Sequence, residues 1–411
     1  MTTNKGLAEL AIFGGEPTFS EKLHVGRPNI GDRARLVERI DNLLDTRLLT
    51  NNGPYVQEFE QRVAECVGVK HCIATCNATV ALEIVIKAIG LTGEVIVPSF
   101  TFIATAHVLR WQDITPVFCD VNPDTHSIDP HQVESLITSR TTGILGVHVW
   151  GQPCEIDALT ELANYHKLTL LFDAAHAFGC SYNGKMIGNF GAAEVFSFHA
   201  TKFVNTFEGG AIVTNDDDLA LRLRLMRNFG FAGYDKVVSL GLNGKMSEIS
   251  AAMGLTSLES LDDFTEINRC NYLHYQQELA DIPGIRMLLY DEAQQCNYQY
   301  IVFEVDEHRT QISRDHLLAI LWAENILARR YFFPGCHNME PYFSEIPRES
   351  LQLSATESLV QRVLVLPTGT TVDQATITKI CQIIKFALEN AFEIKQRMPV
   401  ANKLDVKTTL F

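Results

Sequence analysis

Two segments near the middle of the chain carry side chains suited to covalent and acid–base chemistry. In LLFDAAHAFG, residues 170–179, an apolar run ends at Asp173, and in FSFHATKFVNTFEGG, residues 196–210, Ser197 precedes Lys202. A lysine amine forms Schiff bases, a carboxylate keeps a pyridine nitrogen protonated, and hydroxyls bind phosphate; pyridoxal phosphate requires all three. Taken singly, an aspartate at a strand end is more often a turn or capping residue, and a loop lysine is usually solvated. The joint pattern is what indicates this cofactor.

A turn of small residues lies upstream, ATCNATVAL at 74–82. Small residues at the start of a helix leave backbone N–H groups open to an anion, and Thr79 adds a hydroxyl beside Ala78. An ordinary cap made by Asn77 explains the same residues without a ligand. Phe102, after the next apolar run, either stacks on a planar ring or belongs to the core. Both pairs of alternatives stay open on these residues alone.

Short apolar runs alternate with helical patterns around these segments. Runs of this kind predict strands buried on both faces, hence a mainly parallel α/β sheet whose strand ends bind ligands. Strands are predicted at 72–74, 94–98, 115–120, 144–149, 168–173, 194–198 and 210–214, and helices at 79–89, 102–111, 155–166, 219–228 and 246–263.

The alternation stops after residue 214, and an α+β texture follows from about residue 264. We therefore predict a large domain over 1–263 with an N-terminal arm, a smaller C-terminal α+β domain over 264–395, and a peripheral tail over 396–411.

The composition excludes several classes of protein. The net charge of −15 makes the surface repel phosphate backbones, so nucleic acid is not expected as a partner. No apolar run reaches the ~18 residues of a membrane span, and the N-terminus lacks a signal peptide, so a cytoplasmic location is expected. The ten cysteines are scattered without a C-x-x-C pair, which favours free thiols and predicts no metal site.

The order and spacing of the motifs resemble the nucleotide-sugar aminotransferases, the DegT/DnrJ/StrS-type branch of fold-type I pyridoxal-phosphate-dependent enzymes. The resemblance runs from about Gly14 to about Ile384. The matching segments are GGEP, the N-A-T-x-A-L turn, PSFTFIATA, PVFCDV, VHVWGQP, FDAAHAFG, SFHATK followed by EGG, RNFG, and GLNGKMSEISAAMG. The resemblance implies a mainly parallel sheet sandwiched by helices in the large domain.

The resemblance also implies catalytic roles. Lys202 matches the lysine that binds pyridoxal 5′-phosphate as a Schiff base, and Asp173 matches the partner of the pyridine nitrogen. His176 takes the position, often glutamine, that contacts the ring hydroxyl. Pyridoxamine 5′-phosphate is the implied intermediate form of the cofactor.

Further residues match binding positions of the family. Those implied for the cofactor are Ala78 and Thr79 at the phosphate turn, Ser197 at the phosphate, Phe102 on the ring, and Asn243, which reaches the phosphate of the neighbouring subunit. Those in a region near the substrate are Arg329, Tyr331 and His337, although an exposed basic patch explains them as well. Two positions differ from the family, since Ala78 and Phe207 stand where glycine is common.

The implied activity is transfer of an amino group, from L-glutamate, onto C3 or C4 of a nucleotide-linked keto-deoxysugar by a ping-pong mechanism. A homodimer with shared sites and a place in polysaccharide or O-antigen biosynthesis are implied with it. One alternative is a keto-sugar dehydratase of the same fold, but that branch has histidine in place of the lysine. The other is a regulatory or scaffold homologue without turnover, for which Lys202, Asp173 and Ser197 together would have no chemical purpose.

Overall fold

The computed structural model describes residues 6–398. Its strands are β1 (Leu23–His24), β2 (His71–Thr75), β3 (Glu94–Pro98), β4 (Thr115–Cys119), β5 (Thr141–Val147), β6 (Thr169–Asp173), β7 (Ser181–Tyr182), β8 (Lys185–Met186), β9 (Ala193–Ser197), β10 (Gly210–Thr214), β11 (Ile285–Met287), β12 (Ile301–Val305), β13 (Ile326–Leu327) and β14 (Val363–Leu366). Its α-helices are α1 (Arg33–Thr46), α2 (Pro54–Val67), α3 (Ala78–Ile89), α4 (Ala104–Arg110), α5 (Pro130–Leu136), α6 (Ile156–His166), α7 (Asp217–Met226), α8 (Glu248–Glu259), α9 (Leu261–Leu279), α10 (Glu307–Thr310), α11 (Arg314–Ala323), α12 (Tyr342–Glu345), α13 (Ser354–Arg362), α14 (Gln374–Glu389) and α15 (Ala391–Arg397).

A seven-stranded sheet forms the centre of the large domain, in the order β2-β10-β9-β6-β5-β3-β4. Every neighbouring pair is parallel except the two pairs made by β10. Both faces are apolar because side chains alternate along each strand. In β3, Val95 and Val97 enter the core on one face and Ile96 enters the core on the other. The predicted mainly parallel α/β sheet is confirmed.

The same alternation decides which face carries the chemistry. In β6, Phe172 joins one core, so its neighbours Leu171 and Asp173 face the other side, which α3 and α4 cover. In β9, Val195 belongs to that second core, and Ser197 shares its face. The ends of two adjacent parallel strands thus present a carboxylate and a hydroxyl at one edge of the sheet.

A separate core, away from both faces of the central sheet, belongs to the antiparallel sheet β11-β12-β14 and the helices packed on it. The N-terminal segment packs here too, since Leu7, Leu10 and Leu23 lie in this core. Buried Glu324 fixes the segment by accepting hydrogen bonds from the backbone N–H groups of Ala11, at 2.8 Å, and Thr18, at 2.7 Å. The arm that we assigned to the large domain is therefore attached to the small one.

The predicted domain boundary falls inside a continuous helix. α9 crosses residue 263, with Phe264 packed in the large-domain core and Tyr275 in the small-domain core. At the other end, α15 runs to Arg397 and contributes Ile394 to the small-domain core. The predicted tail from residue 399 onward lies outside the described residues.

Several element bounds differ from the sequence prediction for local reasons. The strand predicted over 144–149 ends at Val147, because Trp150 takes a left-handed φ of 63° and forces a 3₁₀ turn. The helix predicted from Met246 begins two residues later, since Ser247 makes the cap by accepting a hydrogen bond from the backbone N–H of Ser250. Several short elements were not predicted, α5 and β14 among them.

Within residues 6–398, no helix is long and apolar enough to cross a membrane. In the same part of the chain, no group of three or more His, Cys, Asp or Glu side chains is placed to hold a metal ion. All ten cysteines are free thiols.

Candidate active site

Lys202 lies in the loop between β9 and β10. Backbone hydrogen bonds close the base of this loop, because Phe198 N–H donates to Gly209 O at 2.9 Å and Thr206 N–H donates to Phe198 O at 2.9 Å. The lysine side chain is partly buried, and its Nζ donates to the Tyr300 hydroxyl at 3.1 Å. Burial lowers the pKa of the Lys202 amine to about 8, although the charge of Asp173 opposes that shift. The amine is therefore a usable base and nucleophile near neutral pH.

Asp173, the last residue of β6, is only 6% exposed. Its Oδ2 accepts a hydrogen bond from the Thr105 hydroxyl at 2.9 Å, and its Oδ1 accepts one from the Ala175 backbone N–H at 3.1 Å. Burial raises the pKa of this carboxyl above its ordinary value, while the two hydrogen bonds and the charge of Lys202 oppose the increase. The carboxylate is held in one orientation and has few solvent contacts, which suits pairing with a cationic ring nitrogen.

His176 is buried beside Lys202 and its tautomer is fixed by one contact. The Trp150 backbone N–H donates to His176 Nδ1 at 3.1 Å, so the neutral ring carries its proton on Nε2. Burial and the charge of Lys202 hold the pKa of His176 well below its usual value. The Trp150 ring stacks against it with centroids 6.0 Å apart. His176 is thus a neutral hydrogen-bond donor.

The turn at the start of α3 meets the same edge of the sheet. Asn77 caps the helix by accepting a hydrogen bond from Val80 N–H at 2.8 Å, so the predicted helix cap is present. The cap does not exclude the anion site, because Ala78 and Thr79 supply further N–H groups at the helix start. Gly210 lets β10 approach this turn: a Cβ there would lie 2.6 Å from Ala78 N. Ser197 pairs with Gly210 across the strands, and its hydroxyl accepts a long hydrogen bond from His199 N–H at 3.4 Å.

The two positions where glycine is common behave differently. Ala78 has ordinary helical backbone as the first residue of α3, so alanine fits without strain. Phe207 takes a φ of 61°, in the left-handed region that favours glycine. Phenylalanine at this position carries strain of about 1 kcal/mol or more.

Phe102 and Asn243 are both exposed. The Phe102 side chain is 59% exposed at the entrance to α4, so its ring is free to stack on a ligand. Asn243 lies on a loop that makes an isolated bridge with Asn228 and points to solvent in the single chain. Neither residue contacts Lys202 or Asp173 in the hydrogen bonds and ring contacts of residues 6–398.

The three residues predicted near the substrate do not form one group. Arg329 is exposed and lies over the Tyr331 ring, with 5.4 Å between the guanidinium carbon and the ring centroid. His337 is buried, and both ring nitrogens are engaged, Nδ1 with the Ser99 hydroxyl at 2.6 Å and Nε2 with Asn338 at 2.8 Å. Burial, with the charge of Arg348, lowers its pKa to about 4. His337 therefore holds the loop after β3 and has no ring nitrogen free for a substrate.

Sequence reasoning missed four residues that build the site. They are Thr105 on Asp173, Trp150 on His176, Tyr300 on Lys202, and Asn297, whose Nδ2 donates to His176 O at 2.8 Å. Thr105 lies within the matched segment PSFTFIATA, and its place in the helix after β3 was a usable signal. Tyr300 and Asn297 come from the other domain, and no local pattern marks them.

The residues present fit pyridoxal phosphate. Lys202 offers an amine of lowered pKa, Asp173 a buried, oriented carboxylate, and His176 a donor beside them. The turn at Ala78, the Ser197 hydroxyl and the close approach of Gly210 form a cradle for an anion at the same edge. These groups converge from distant parts of the chain, as one bound molecule would require.

Comparisons with known proteins agree with this arrangement. A profile of the DegT/DnrJ/EryC1/StrS aminotransferase family matches residues 31–385. The chain is 34% identical over 363 residues to dTDP-4-amino-4,6-dideoxy-D-glucose transaminase of Escherichia coli, covering 88% of this chain and 97% of that one. It is 34% identical over 364 residues to GDP-perosamine synthase of Caulobacter vibrioides, covering 87% and 96%.

Solved structures show the same relationship. The structure of DesI in the presence of its TDP-sugar product superposes with a TM-score of 0.92 at 49% identity, covering 96% of this chain and 100% of that chain. PseC of Helicobacter pylori, described as an aminotransferase involved in the biosynthesis of pseudoaminic acid, superposes with a TM-score of 0.83 at 27% identity, covering 90% and 100%. The predicted fold-type I class and the predicted enzyme class are confirmed. This chain therefore belongs to the DegT/DnrJ/EryC1/StrS aminotransferase family.

Proposed function

We propose that this protein transfers the amino group of L-glutamate to the carbonyl carbon of a nucleotide-linked keto-deoxysugar, with pyridoxal 5′-phosphate as cofactor. The observation that carries the proposal is the Lys202 amine, which has a pKa of about 8 and lies in one site with the buried Asp173 carboxylate and neutral His176. A dehydratase of this fold with histidine at position 202 does not fit this chain.

Each residue has a part that follows from its contacts. When bound, the cofactor supplies a Schiff-base carbon and an electron-withdrawing pyridinium ring. Asp173 would hold the proton on the ring nitrogen, and Thr105 keeps the carboxylate oriented for this contact. His176 would donate its Nε2 hydrogen to the ring oxygen. The turn at Ala78 and Thr79, with Ser197, would bind the phosphate, and Phe102 would cover the ring face.

Lys202 moves the proton. With the cofactor bound, the Lys202 Nζ would hold the proton that moves between the two reacting carbons and would return every proton that it takes, so no net proton would be exchanged. Burial makes this possible, because an amine with an ordinary pKa near 10.4 would be almost fully protonated at neutral pH. We propose a ping-pong order, in which 2-oxoglutarate leaves before the keto-sugar binds.

The relatives indicate which keto-sugar to test first. One acts on a dTDP-linked 4-amino-4,6-dideoxyhexose, and the DesI structure holds a TDP-sugar product. We therefore propose amination at C4 of a dTDP-linked 4-keto-6-deoxyhexose. Arg329 suits the diphosphate of this substrate, because it belongs to a cluster of cationic side chains. Burial and the charges of Lys22, Arg27 and Arg329 together lower the pKa of His24, which shows that these three cations lie near one another. The chain is also similar to SpsC of Bacillus subtilis, a spore coat polysaccharide biosynthesis protein. The two are 34% identical over 325 residues, which cover 75% of this chain and 82% of that one. This similarity supports use of the product in a polysaccharide.

We propose that the active unit is a homodimer in the cytoplasm. The loop that carries Asn243 exposes several large apolar side chains, as an interface would: Phe229, Phe231, Tyr234, Val237, Val238 and Leu240. In a two-fold dimer this loop would bring Asn243 to the phosphate of the other subunit. Free thiols at all ten cysteines suit a reducing compartment.

Two measurements test the proposed activity. Borohydride reduction of the loaded enzyme and peptide mapping should label Lys202, with Lys202→Ala as the unlabelled control. Label on another lysine would disprove the site assignment. A panel of dTDP-, UDP- and GDP-linked keto-sugars with glutamate should then show fastest turnover with the dTDP 4-keto-sugar. No turnover with any member would refute the substrate class while leaving the lysine assignment intact.

A further inference from the structure

Tyr300 contacts the amine that we place at the centre of the reaction. Its hydroxyl accepts the hydrogen bond from Lys202 Nζ at 3.1 Å, and the same Nζ lies 5.8 Å from its ring centroid. Tyr300 immediately precedes β12 of the small-domain sheet, so the two partners come from different domains. It is the only hydrogen-bond partner of this Nζ within residues 6–398.

The position of the hydroxyl is fixed by packing on three sides. The Tyr300 ring lies against His176 with centroids 4.5 Å apart and meets the Trp150 ring edge to face at 5.4 Å. Its backbone carbonyl accepts a hydrogen bond from the Tyr290 hydroxyl at 3.0 Å. Because these contacts already hold the Tyr300 side chain in place, its hydroxyl meets Lys202 Nζ without a further loss of side-chain entropy.

The charged and titratable groups near Nζ define what the hydroxyl does. The Asp173 carboxylate stabilises the ammonium form of Lys202, whereas burial disfavours that form. His176 is neutral and adds no charge beside Nζ. Burial raises the pKa of the Tyr300 phenol well above its ordinary value, so the phenol keeps its proton. Its oxygen is then an acceptor for the ammonium form of Lys202, which has only donors, so the contact favours that form.

We propose that Tyr300 is a further catalytic residue, whose hydroxyl holds Lys202 Nζ during the proton transfer. Nζ takes up the carbon-bound proton, becomes an ammonium that donates to Tyr300 Oη, and gives the proton back at the second carbon. The hydroxyl neither gains nor loses a proton in this cycle. It stabilises the ammonium between the transfers and orients the amine for both. This role rests on the proposed transaminase activity.

The test compares Tyr300→Phe with Tyr275→Phe. Both variants remove a buried tyrosine hydroxyl and leave the ring, but the Tyr275 hydroxyl donates to Pro367 O, so only the first variant removes the contact with Nζ. In the full chain freed of cofactor, the pH dependence of Lys202 labelling by an amine reagent gives the pKa of Nζ. We expect the pKa to fall from about 8 by about one unit in Tyr300→Phe, because the ammonium loses a hydrogen bond, and to stay unchanged in Tyr275→Phe.

In the loaded enzyme, Tyr300→Phe should lower kcat by about tenfold and leave KM for the keto-sugar unchanged, since the contact is with the base. The acidic limb of the pH profile should move to lower pH. An unshifted pKa with wild-type kcat, or equal effects of both variants, would overturn the proposal. If Tyr300→Phe does not fold, 3-fluorotyrosine placed at position 300 keeps the shape and weakens the acceptor, and an unshifted pKa there would also overturn it.

The labelling result does not depend on turnover. A shifted pKa in a protein that aminates no keto-sugar would contradict the proposed substrate class and leave the contact standing. Normal amination with an unshifted pKa would support the proposed substrate class and contradict the role of Tyr300.

Discussion

Replacing Thr105 by valine tests how the buried Asp173 carboxylate is held. Valine keeps the shape of threonine and removes only the hydroxyl that donates to Asp173 Oδ2 at 2.9 Å. Thr105 is fully buried and Asp173 nearly so, so water has little access to replace the lost hydrogen bond. A hydrogen bond to an ionised group contributes about 1.5–3 kcal/mol, which corresponds to an increase of about one to two units in the pKa of Asp173.

The direction of the pH effect follows from the pKa shift. Burial already raises the pKa of Asp173 in the folded chain above its unfolded value, so the folded state binds more protons and loses stability as pH rises through the folded pKa. Thr105→Val raises the folded pKa further. The cofactor-free variant should therefore be less stable than the wild type at pH 8 by about 1.5–3 kcal/mol, and this difference should shrink at acid pH, where Asp173 is protonated in both proteins.

Urea unfolding at the two pH values measures this difference, and steady-state kinetics of the loaded enzyme measures its consequence. A carboxyl that protonates more readily is a weaker partner for a protonated pyridine nitrogen, so kcat should fall by about tenfold or more. Thr101→Val is the matched control, because Thr101 is equally buried and its hydroxyl lies 3.2 Å from the Thr105 hydroxyl rather than on Asp173. A loss of stability that is the same at both pH values, or equal in the two variants, would refute the reasoning.

Three further outcomes are expected. Asp173→Asn should fold and lose most transamination, because an amide cannot keep the ring nitrogen protonated; near-normal turnover would show that Asp173 is structural. The rate at which cofactor-free protein takes up pyridoxal phosphate should rise with pH and level off above about 8, as the Lys202 amine deprotonates, and a plateau near 10 would contradict the effect of burial. Mixed dimers of Asn243→Asp and Lys202→Ala hold one site with both lesions and one with neither, so subunit exchange should restore up to about half of the wild-type activity. An active monomer, or no recovery on mixing, would refute the shared site.

The sequence alone determined the class of the fold and pointed to the candidate reacting groups. Apolar runs that alternate with helical patterns predicted all seven strands of the central sheet, because burial on both faces leaves a continuous apolar signature. Asp173 was identifiable because it ends such a run, and Ser197 and Lys202 because they stand together in the next segment; the family resemblance then supported all three. Local sequence also explains Asn77 as a helix cap.

Only the tertiary structure decided what surrounds those groups. Tyr300 reaches Lys202 from 98 residues away in the chain and from another sheet, and Asn297 holds the backbone at His176 from a similar distance. His337 matches a region near the substrate in sequence, yet packing buries it with both ring nitrogens occupied. The N-terminal segment belongs to the small-domain core because Glu324 and apolar neighbours bind it there. Periodicity reports which face of an element is buried, but contacts between elements far apart in sequence depend on how the cores pack, and that packing sets the pKa of the lysine and the orientation of the carboxylate.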